Sequence, residues 1–261
     1  MAPSASPTSM SQGTQPAVAI NFTAYGDEEI PGRIPSPPAR PSRATQSNGD
    51  RHVLVVDRDS CMFYELYRLP QPDGSWGADS AARYDLSSHE LRPAGWTSAD
   101  AAGLPILPGL VRYDEVAAGE IRHAIRFTAP QTRRAYVWPA RHFASSLEDE
   151  QYPPMGQRFR LRADFDVSSF APEIQVILVA MQRYGIILAD NGSAWYISGV
   201  PDERWDNDML RQLRQLQGSD FEAVDVSALM VSSDSGQVRN KNPMQFFCPS
   251  RSVRSMVQFH R

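Results

Sequence analysis

The sequence predicts a mainly β fold with two or three helices, arranged as a β-sandwich, a jelly roll or a distorted β-barrel. Short runs rich in Val, Ile, Phe and Tyr recur between residues 50 and 229, and turn residues separate them. Residues 157–167 alternate in polarity, with Phe159 on one face and Arg158 and Arg160 on the other. Helical periodicity is confined to two segments of the C-terminal half.

Composition limits the classes of function. The chain has 261 residues, a net charge of −4 and a pI of about 5.7, so no global charge attracts it to nucleic acid or to an anionic membrane. No run reaches the roughly 20 apolar residues of a membrane span. Only Lys241 is lysine among the 26 basic residues, which reflects a GC-rich genome or a use for the planar arginine fork. Cys61 and Cys248 allow one disulfide or two free thiols.

The pattern divides the chain into three regions. Residues 1–49 are rich in Pro and Ser and are expected to be largely disordered, apart from an edge strand at 18–25. They show neither the charged start nor the apolar run of a signal peptide. Residues 50–229 carry enough apolar side chains for a single β-rich domain. Residues 230–261 lose the pattern and are expected to form an irregular basic tail.

Local patterns predict each element of the domain. The first two strands form a hairpin around Asp59, and residues 92–103 form a long loop. Pro105 and Pro108 exclude a helix immediately after that loop. The predicted strands cover residues 52–57, 61–69, 81–86, 109–116, 119–128, 134–138 and 157–167.

Two helices and a hairpin complete the prediction. The helices cover residues 170–184 and 207–217, and each has an apolar stripe. Between them, Asn191 and Gly192 are typical of a type I′ turn that joins two paired strands. The predicted helix caps and stops are Ser169, Gly185, Asp206 and Gly218.

A broad resemblance covers residues 49–228. It is carried by the segments GDRHVLVVDRDSCMFYELY, LRPAGWTSADAAGLPILPGLVRYDEV, RHAIRFT, YVWPARH, PPMGQRFRL, ADNGSAWYISG and PDERWDND. These segments resemble a family of uncharacterised, mostly secreted proteins of soil bacteria. The resemblance implies an extracellular location and no particular activity, and the regions before residue 49 and after residue 229 depart from it.

Residues 104–142 hold the densest group of charged and aromatic side chains, and we interpret them as the floor of a site. A carboxylate is expected to act there as general acid or base, assisted by a histidine. Glycoside hydrolysis would require two carboxylates facing each other across several ångströms. The alternative is that the carboxylates are solvated strand ends and the histidines fill core or surface positions. The candidate catalytic residues are Asp100, Asp114, Glu115, His123, His142 and Asp190.

Strand alternation predicts the surroundings of His123. It shares a face with Ile125, whereas Arg126 lies on the opposite face. Only one of these faces can line a pocket together with Arg141 and His142, and the sequence leaves open which one it is.

Substrate contacts are assigned to tryptophans and arginines. An exposed indole stacks on sugar rings and a buried one fills a core, while an arginine fork holds anionic groups. The stripe Arg158, Arg160 and Arg162 is either an anion-binding surface or the solvated face of a sheet. Histidines at metal-ligand spacing are absent, so no metal is assigned. The candidate binding residues are Trp96, Arg126, Trp138, Arg141 and Trp195.

The function predicted from these residues is that of a secreted bacterial protein, monomeric and carbohydrate-active. It would act on a polysaccharide or cell-wall polymer as a hydrolase or lyase through carboxylate and histidine acid–base chemistry. The alternatives are a non-catalytic carbohydrate- or surface-binding module and a structural or adhesive domain. No cofactor is indicated, and neither a nucleic-acid partner nor membrane insertion is expected.

Overall fold

A computed structural model describes residues 9–11, 17–28, 33–35, 52–68, 77–239 and 254–259. Within these ranges the chain is mainly sheet with three α-helices. The strands are β1 (Ser9–Ser11), β2 (Ala17–Ala19), β3 (Asn21–Phe22), β4 (Arg33–Pro35), β5 (His52–Asp57), β6 (Met62–Tyr67), β7 (Gly77–Ala78), β8 (Ser80–Asp85), β9 (Ile125–Ala129), β10 (Arg158–Leu161), β11 (Ile186–Asn191), β12 (Tyr196–Ile197), β13 (Phe221–Val224) and β14 (Arg254–Phe259). The helices are α1 (Tyr113–Ala117), α2 (Pro172–Arg183) and α3 (Asn207–Leu210).

The first sheet has the strand order β1-β14-β5-β6-β8 and is antiparallel throughout. Its centre is the β5–β6 hairpin, where Val55 lies opposite Tyr64, and the sequence prediction of this hairpin is confirmed. Both faces are apolar, which explains why β5 is hydrophobic along nearly its whole length. One face packs Val53 and Leu66 against the N-terminal residues Ile20 and Phe22. The other packs Leu54 and Phe63 against residues of the following loop, among them Ile106 and Leu110.

The second sheet has the order β12-β9-β11-β10-β13 and is mixed. Its central strands β9 and β11 are parallel, and the other pairings are antiparallel. The connection between the parallel strands contains β10 and α2, and Ile174, Ile177 and Leu178 of α2 are buried in the same core cluster as Ile125 of β9. Val200 follows β12 and packs against the cluster that contains Leu54 and Phe63 of the first sheet.

The predicted barrel is wrong, because both five-stranded sheets are open. The first sheet ends at β1 and β8, the second at β12 and β13, and these edges do not pair to close a cylinder. The sandwich or jelly-roll arrangement stays a prediction.

The strand predicted at 109–116 is also wrong. The chain forms a 3₁₀ turn at Leu107–Gly109 and then α1, whose first turn contains Asp114 and Glu115. Acidic side chains at this position stabilise the positive end of a helix, and alternation does not reveal that effect. Residues 134–138 form no strand, and the strand at 157–167 ends at Leu161.

The hairpin predicted at Asn191 and Gly192 does not form. Phe127 of β9 lies opposite Leu188 of β11 on one side and Ile197 of β12 on the other. The chain therefore crosses to the far edge of β9 instead of folding back on β11. A turn motif reports only on local geometry, and here pairing with a distant strand determines the path.

The helix predictions hold in outline. Helix α2 begins at Pro172 after Ala171, so Ser169 is not its cap, and Gly185 follows it at φ +77° as predicted. Asp206 caps α3 by accepting hydrogen bonds from two backbone N–H groups. That helix is shorter than predicted and continues as a 3₁₀ helix over Arg211–Gln215.

The described parts of the two terminal regions lie against the domain. Ile20 and Phe22 pack on the first sheet, and β14 forms one of its strands, while the division into three regions stays a prediction. Cys61 is disulfide-bonded, and Cys248 lies outside the described residues. Within the described ranges, no helix has the length and apolarity needed to cross a membrane.

Candidate functional site

The structure brings together two of the candidate catalytic residues, Glu115 and His123. Glu115 lies in α1 and His123 follows that helix, two residues before β9. His123 Nε2 is 3.2 Å from Glu115 Oε2, and the other carboxylate oxygen accepts a hydrogen bond from Arg112. Both members of the pair are half-buried, with side-chain exposures of 20% for His123 and 22% for Glu115. The pair is therefore ordered by its neighbours and still reached by solvent.

The two nitrogens of His123 face different acceptors. Nδ1 lies 2.9 Å from the backbone carbonyl of Ala124, so this nitrogen donates. Nε2 faces the Glu115 carboxylate at 3.2 Å, so a ring nitrogen and a carboxylate oxygen lie within hydrogen-bond distance of each other. An arrangement of this kind can release a proton and take it up again, as general acid–base catalysis requires.

Asp114 belongs to a different cluster. It is exposed, and its Oδ1 accepts a hydrogen bond from Arg204 at 2.8 Å. The same guanidinium binds Asp202 and lies over the ring of Tyr113, 4.2 Å from its centroid. The hydrogen bonds from Arg204 lower the pKa of Asp202 to about 2. Adjacent helix positions point about 100° apart, so Asp114 and Glu115 do not face one substrate as a carboxylate pair.

Asp100 and Arg126 form a buried ion pair. Arg126 donates from Nε and Nη2 to the two oxygens of Asp100 at 2.7 and 2.6 Å, and a third hydrogen bond runs to Ser198. Asp100 is 1% exposed and Arg126 4%. Burial acts to lower the pKa of Arg126, but the charge and hydrogen bonds of Asp100 outweigh it and the net shift is upward. A substrate cannot reach this pair in the conformation described.

His142 and Asp190 lie outside the Glu115–His123 contact. His142 Nδ1 is 2.8 Å from the carbonyl of Ala101, and its ring stacks on Phe143. Asp190, near the end of β11, is half-buried and accepts a hydrogen bond from the N–H of Asn191 at 2.8 Å. Its charge contributes to the raised pKa of Arg126, which places it near the buried ion pair.

Arg141 and Trp138 bind residues 233–235, near the start of the C-terminal region. Arg141 is buried and donates to the carbonyl of Ser233 and to the Asp234 carboxylate, both at 2.7 Å. Trp138 Nε1 donates to the carbonyl of Ser235 at 2.9 Å. Both side chains, predicted to bind substrate, thus have partners within the protein.

The other two tryptophans differ in surroundings. Trp96 is half-buried, and the guanidinium of Arg92 lies 5.4 Å from its ring centroid. Trp195 is 38% exposed, and its ring contacts those of Phe127, Phe159 and Phe221. Trp195 therefore covers part of the core of the second sheet while one portion remains accessible.

The arginine stripe at residues 158, 160 and 162 is largely bound to other groups of the protein. Arg160 pairs with Glu222 on β13, and Arg162 pairs with Asp164. Arg158 donates to the carbonyl of Tyr184, and burial lowers its pKa. The cross-strand pair of Arg160 with Glu222 supports the interpretation of the stripe as the charged face of a sheet.

Glu65 is the titratable residue that sequence reasoning missed. It is 0% exposed in β6, and its carboxylate accepts hydrogen bonds from the backbone N–H groups of Ala99 and Ile106. Burial raises its pKa to about 8, with a further contribution from the charge of Asp100. Strand alternation could have predicted its burial. Glu65 lies two residues from Phe63 and therefore on the same buried face of the strand.

A cleft of about 310 Å³ lies between α2 and the turn that precedes His123, and neither Glu115 nor His123 lines it. One wall is the turn from Ala118 to Ile121, which connects α1 to His123, and the other is the face of α2 that carries Val176 and Val179. Glu120 and Arg183 complete the lining with opposite charges. Among the described residues, no group of three or more His, Cys, Asp or Glu side chains is arranged to hold a metal ion.

No protein-family model, curated protein or solved structure matches the chain. The resemblance to the soil-bacterial family therefore stays a prediction, and the site is the remaining indication of function.

Proposed function

We propose that the protein is an extracellular enzyme that cleaves a polysaccharide or cell-wall polymer by acid–base chemistry at Glu115 and His123. The observation that carries the proposal is their 3.2 Å contact at a half-buried position. The disulfide at Cys61 supports an oxidising compartment, in agreement with the family resemblance.

The geometry favours elimination over hydrolysis. Glycoside hydrolysis needs a second carboxylate across the substrate, but Asp100 is buried and Asp114 is bound to Arg204. Elimination needs a single group that removes the proton from the carbon that bears the carboxylate, whose neighbouring carbon carries the leaving sugar oxygen. The electrons of that C–H bond form a carbon–carbon double bond as the bond to the leaving sugar oxygen breaks, and the same proton then passes to that oxygen. The Glu115–His123 pair can receive and return this proton.

A panel of neutral and acidic polysaccharides tests the proposal. Wild type should release reducing ends and the ultraviolet-absorbing unsaturated product from at least one acidic polymer. His123→Ala should lower the rate by roughly 100-fold or more, the usual effect of losing an acid–base group. His89→Ala, at a half-buried histidine outside the site, should leave the rate unchanged. Equal rates for wild type and His123→Ala would refute the assignment.

The second candidate is a non-catalytic carbohydrate-binding module. It is supported by Tyr196, which is 47% exposed directly beside the partly exposed Trp195. Binding to a polymer without turnover of any panel member, lost in Tyr196→Ala and kept in His123→Ala, would favour this function over the enzyme.

A further inference from the structure

The cleft between α2 and the turn at residues 118–121 has an uneven charge balance. Arg122 Nη2 bonds Glu120 Oε2 at 2.7 Å, whereas Arg183 Nη1 approaches the other oxygen only to 3.6 Å. Two arginines thus share one carboxylate, and the hydrogen bond from Arg122 is the main cause of the lowered pKa of Glu120. Arg183, at 62% exposure, is the cation in surplus, and it lines the cleft.

The remaining lining is aliphatic. Val176 and Val179 are half-buried and supply its accessible part, Ile121 and Ala180 are buried, and the volume of 310 Å³ is at the lower end of the range for small-molecule sites. Such a cleft has room for a compact ring whose C–H face packs on the valines. A carboxylate on that ring would meet Arg183, which offers a planar fork matched to two oxygens.

We propose that this cleft binds one uronic acid residue of the polymer, with its carboxylate on Arg183 and its apolar ring face on Val176 and Val179. The inference rests on the proposed function and names its substrate class as an acidic polysaccharide. Arg183 would then determine specificity, because a neutral sugar of the same shape has no carboxylate to pair with the guanidinium. Arg122 acts indirectly by holding Glu120, the competing carboxylate.

Binding of two matched monosaccharides tests the proposal without requiring turnover. Isotope-labelled protein is titrated with D-glucuronate and with D-glucose, which differ only in the carboxylate, and the methyl resonances of Val176, Val179 and Ile121 are followed. Glucuronate should shift these resonances in a saturable way, and glucose should not. Arg183→Gln should weaken glucuronate binding at least about tenfold, as expected for loss of a charged hydrogen bond. Arg211→Gln, an exposed arginine paired with Asp208, should bind like wild type.

Each contrary result has a defined meaning. Equal shifts from glucose and glucuronate would refute the role of the carboxylate, and unchanged methyl resonances would refute the cleft as the site. Binding of hexanoate but not glucuronate would show an anion site of the wrong class. His123→Ala should still bind glucuronate, so binding without turnover would refute the proposed function alone. Turnover of acidic polymers without an effect of Arg183→Gln would refute the present inference alone.

Discussion

The buried carboxylate of Glu65 accepts a hydrogen bond from the backbone N–H of Ile106 at 2.9 Å. The contact joins the centre of the first sheet to the loop that leads to α1. A second bond, from the N–H of Ala99, holds the start of the same loop, and Tyr84 donates to the carboxylate at 3.4 Å. The Glu65 side chain therefore binds the connecting loop at two points, Ala99 and Ile106, on either side of Asp100. Glu65 itself has no contact with solvent.

Glu65 should make stability depend on pH. Its pKa of about 8 in the fold lies above the ordinary value of 4.5, so the folded state binds a proton that the unfolded state has lost between these values. The free energy of unfolding should then fall as pH rises from 4.5 to 8, by up to about 1.4 kcal/mol per pH unit, and change little beyond. Urea unfolding of wild type and Glu65→Gln across this range measures the contribution, which should disappear in the variant.

A matched substitution separates this effect from other titrations. Glu203 is exposed, and Glu203→Gln makes the same chemical change, so its stability profile should run parallel to that of wild type. If Glu65→Gln also runs parallel to wild type between pH 4.5 and 8, Glu65 is ionised in the fold and its buried environment does not favour the neutral form.

The Arg126–Asp100 pair should be far more sensitive to substitution than a surface pair. Arg126→Met leaves a buried carboxylate without its bidentate partner, and a loss of about 3–5 kcal/mol in unfolding free energy is expected. Arg160→Met breaks an exposed pair with Glu222 and should cost less than about 1 kcal/mol. The double variant Arg126→Met with Asp100→Leu should recover part of the loss in chemical denaturation. Additive losses in the double variant would contradict a coupled pair.

Trp195 and Tyr196 are adjacent but should respond differently to truncation. Trp195 packs on three phenylalanine rings, so Trp195→Ala should lower the unfolding free energy by about 3–5 kcal/mol. Tyr196 is more exposed, and Tyr196→Ala should cost no more than about 1 kcal/mol. Thermal unfolding of both variants decides this, and equal small losses would mean that Trp195 is available as a surface platform.

The sequence correctly predicted structural features that depend on residues close together in the chain. The β5–β6 hairpin, the Asp206 cap and the stop at Gly185 follow from local turn and cap chemistry, and the structure contains all three. The parallel pairing of β9 with β11 could not be read in this way, because Ile125 and Ile186 meet across about 60 residues.

In the candidate site, too, the sequence predicted the residues but not the contacts between distant parts of the chain. Residue types alone selected Glu115, His123, Asp100 and Arg126, but their pairing depends on contacts made by the folded chain. The predicted strand placed His123 on an apolar face, whereas the residue lies before β9 and turns toward α1. Glu65 was overlooked because its strand reads as a hydrophobic hairpin, and only its alternation phase with Phe63 shows that the carboxylate is buried.

Gly156 should tolerate no side chain, because two separate constraints act on it. Its φ of +82° lies in the left-handed region, and an added Cβ would be 2.2 Å from the carbonyl oxygen of Val137 and 2.7 Å from the Cβ of Ala140. The backbone N–H of Gly156 also donates to the carbonyl of Leu188 in β11 at 2.8 Å, so Gly156 cannot move away from Val137 without losing that bond.

Gly119 separates the two constraints. It has the same φ of +82°, with nothing within 4 Å of an added Cβ, so Gly119→Ala should cost only the backbone strain of about 1–2 kcal/mol. Gly156→Ala carries that strain and the collision as well, and should cost several kcal/mol more or prevent folding. Chemical denaturation of both variants measures the difference. Stabilities within 1 kcal/mol of each other would mean that the Val137 loop moves aside, and that its close approach to Gly156 is not needed to hold the strand.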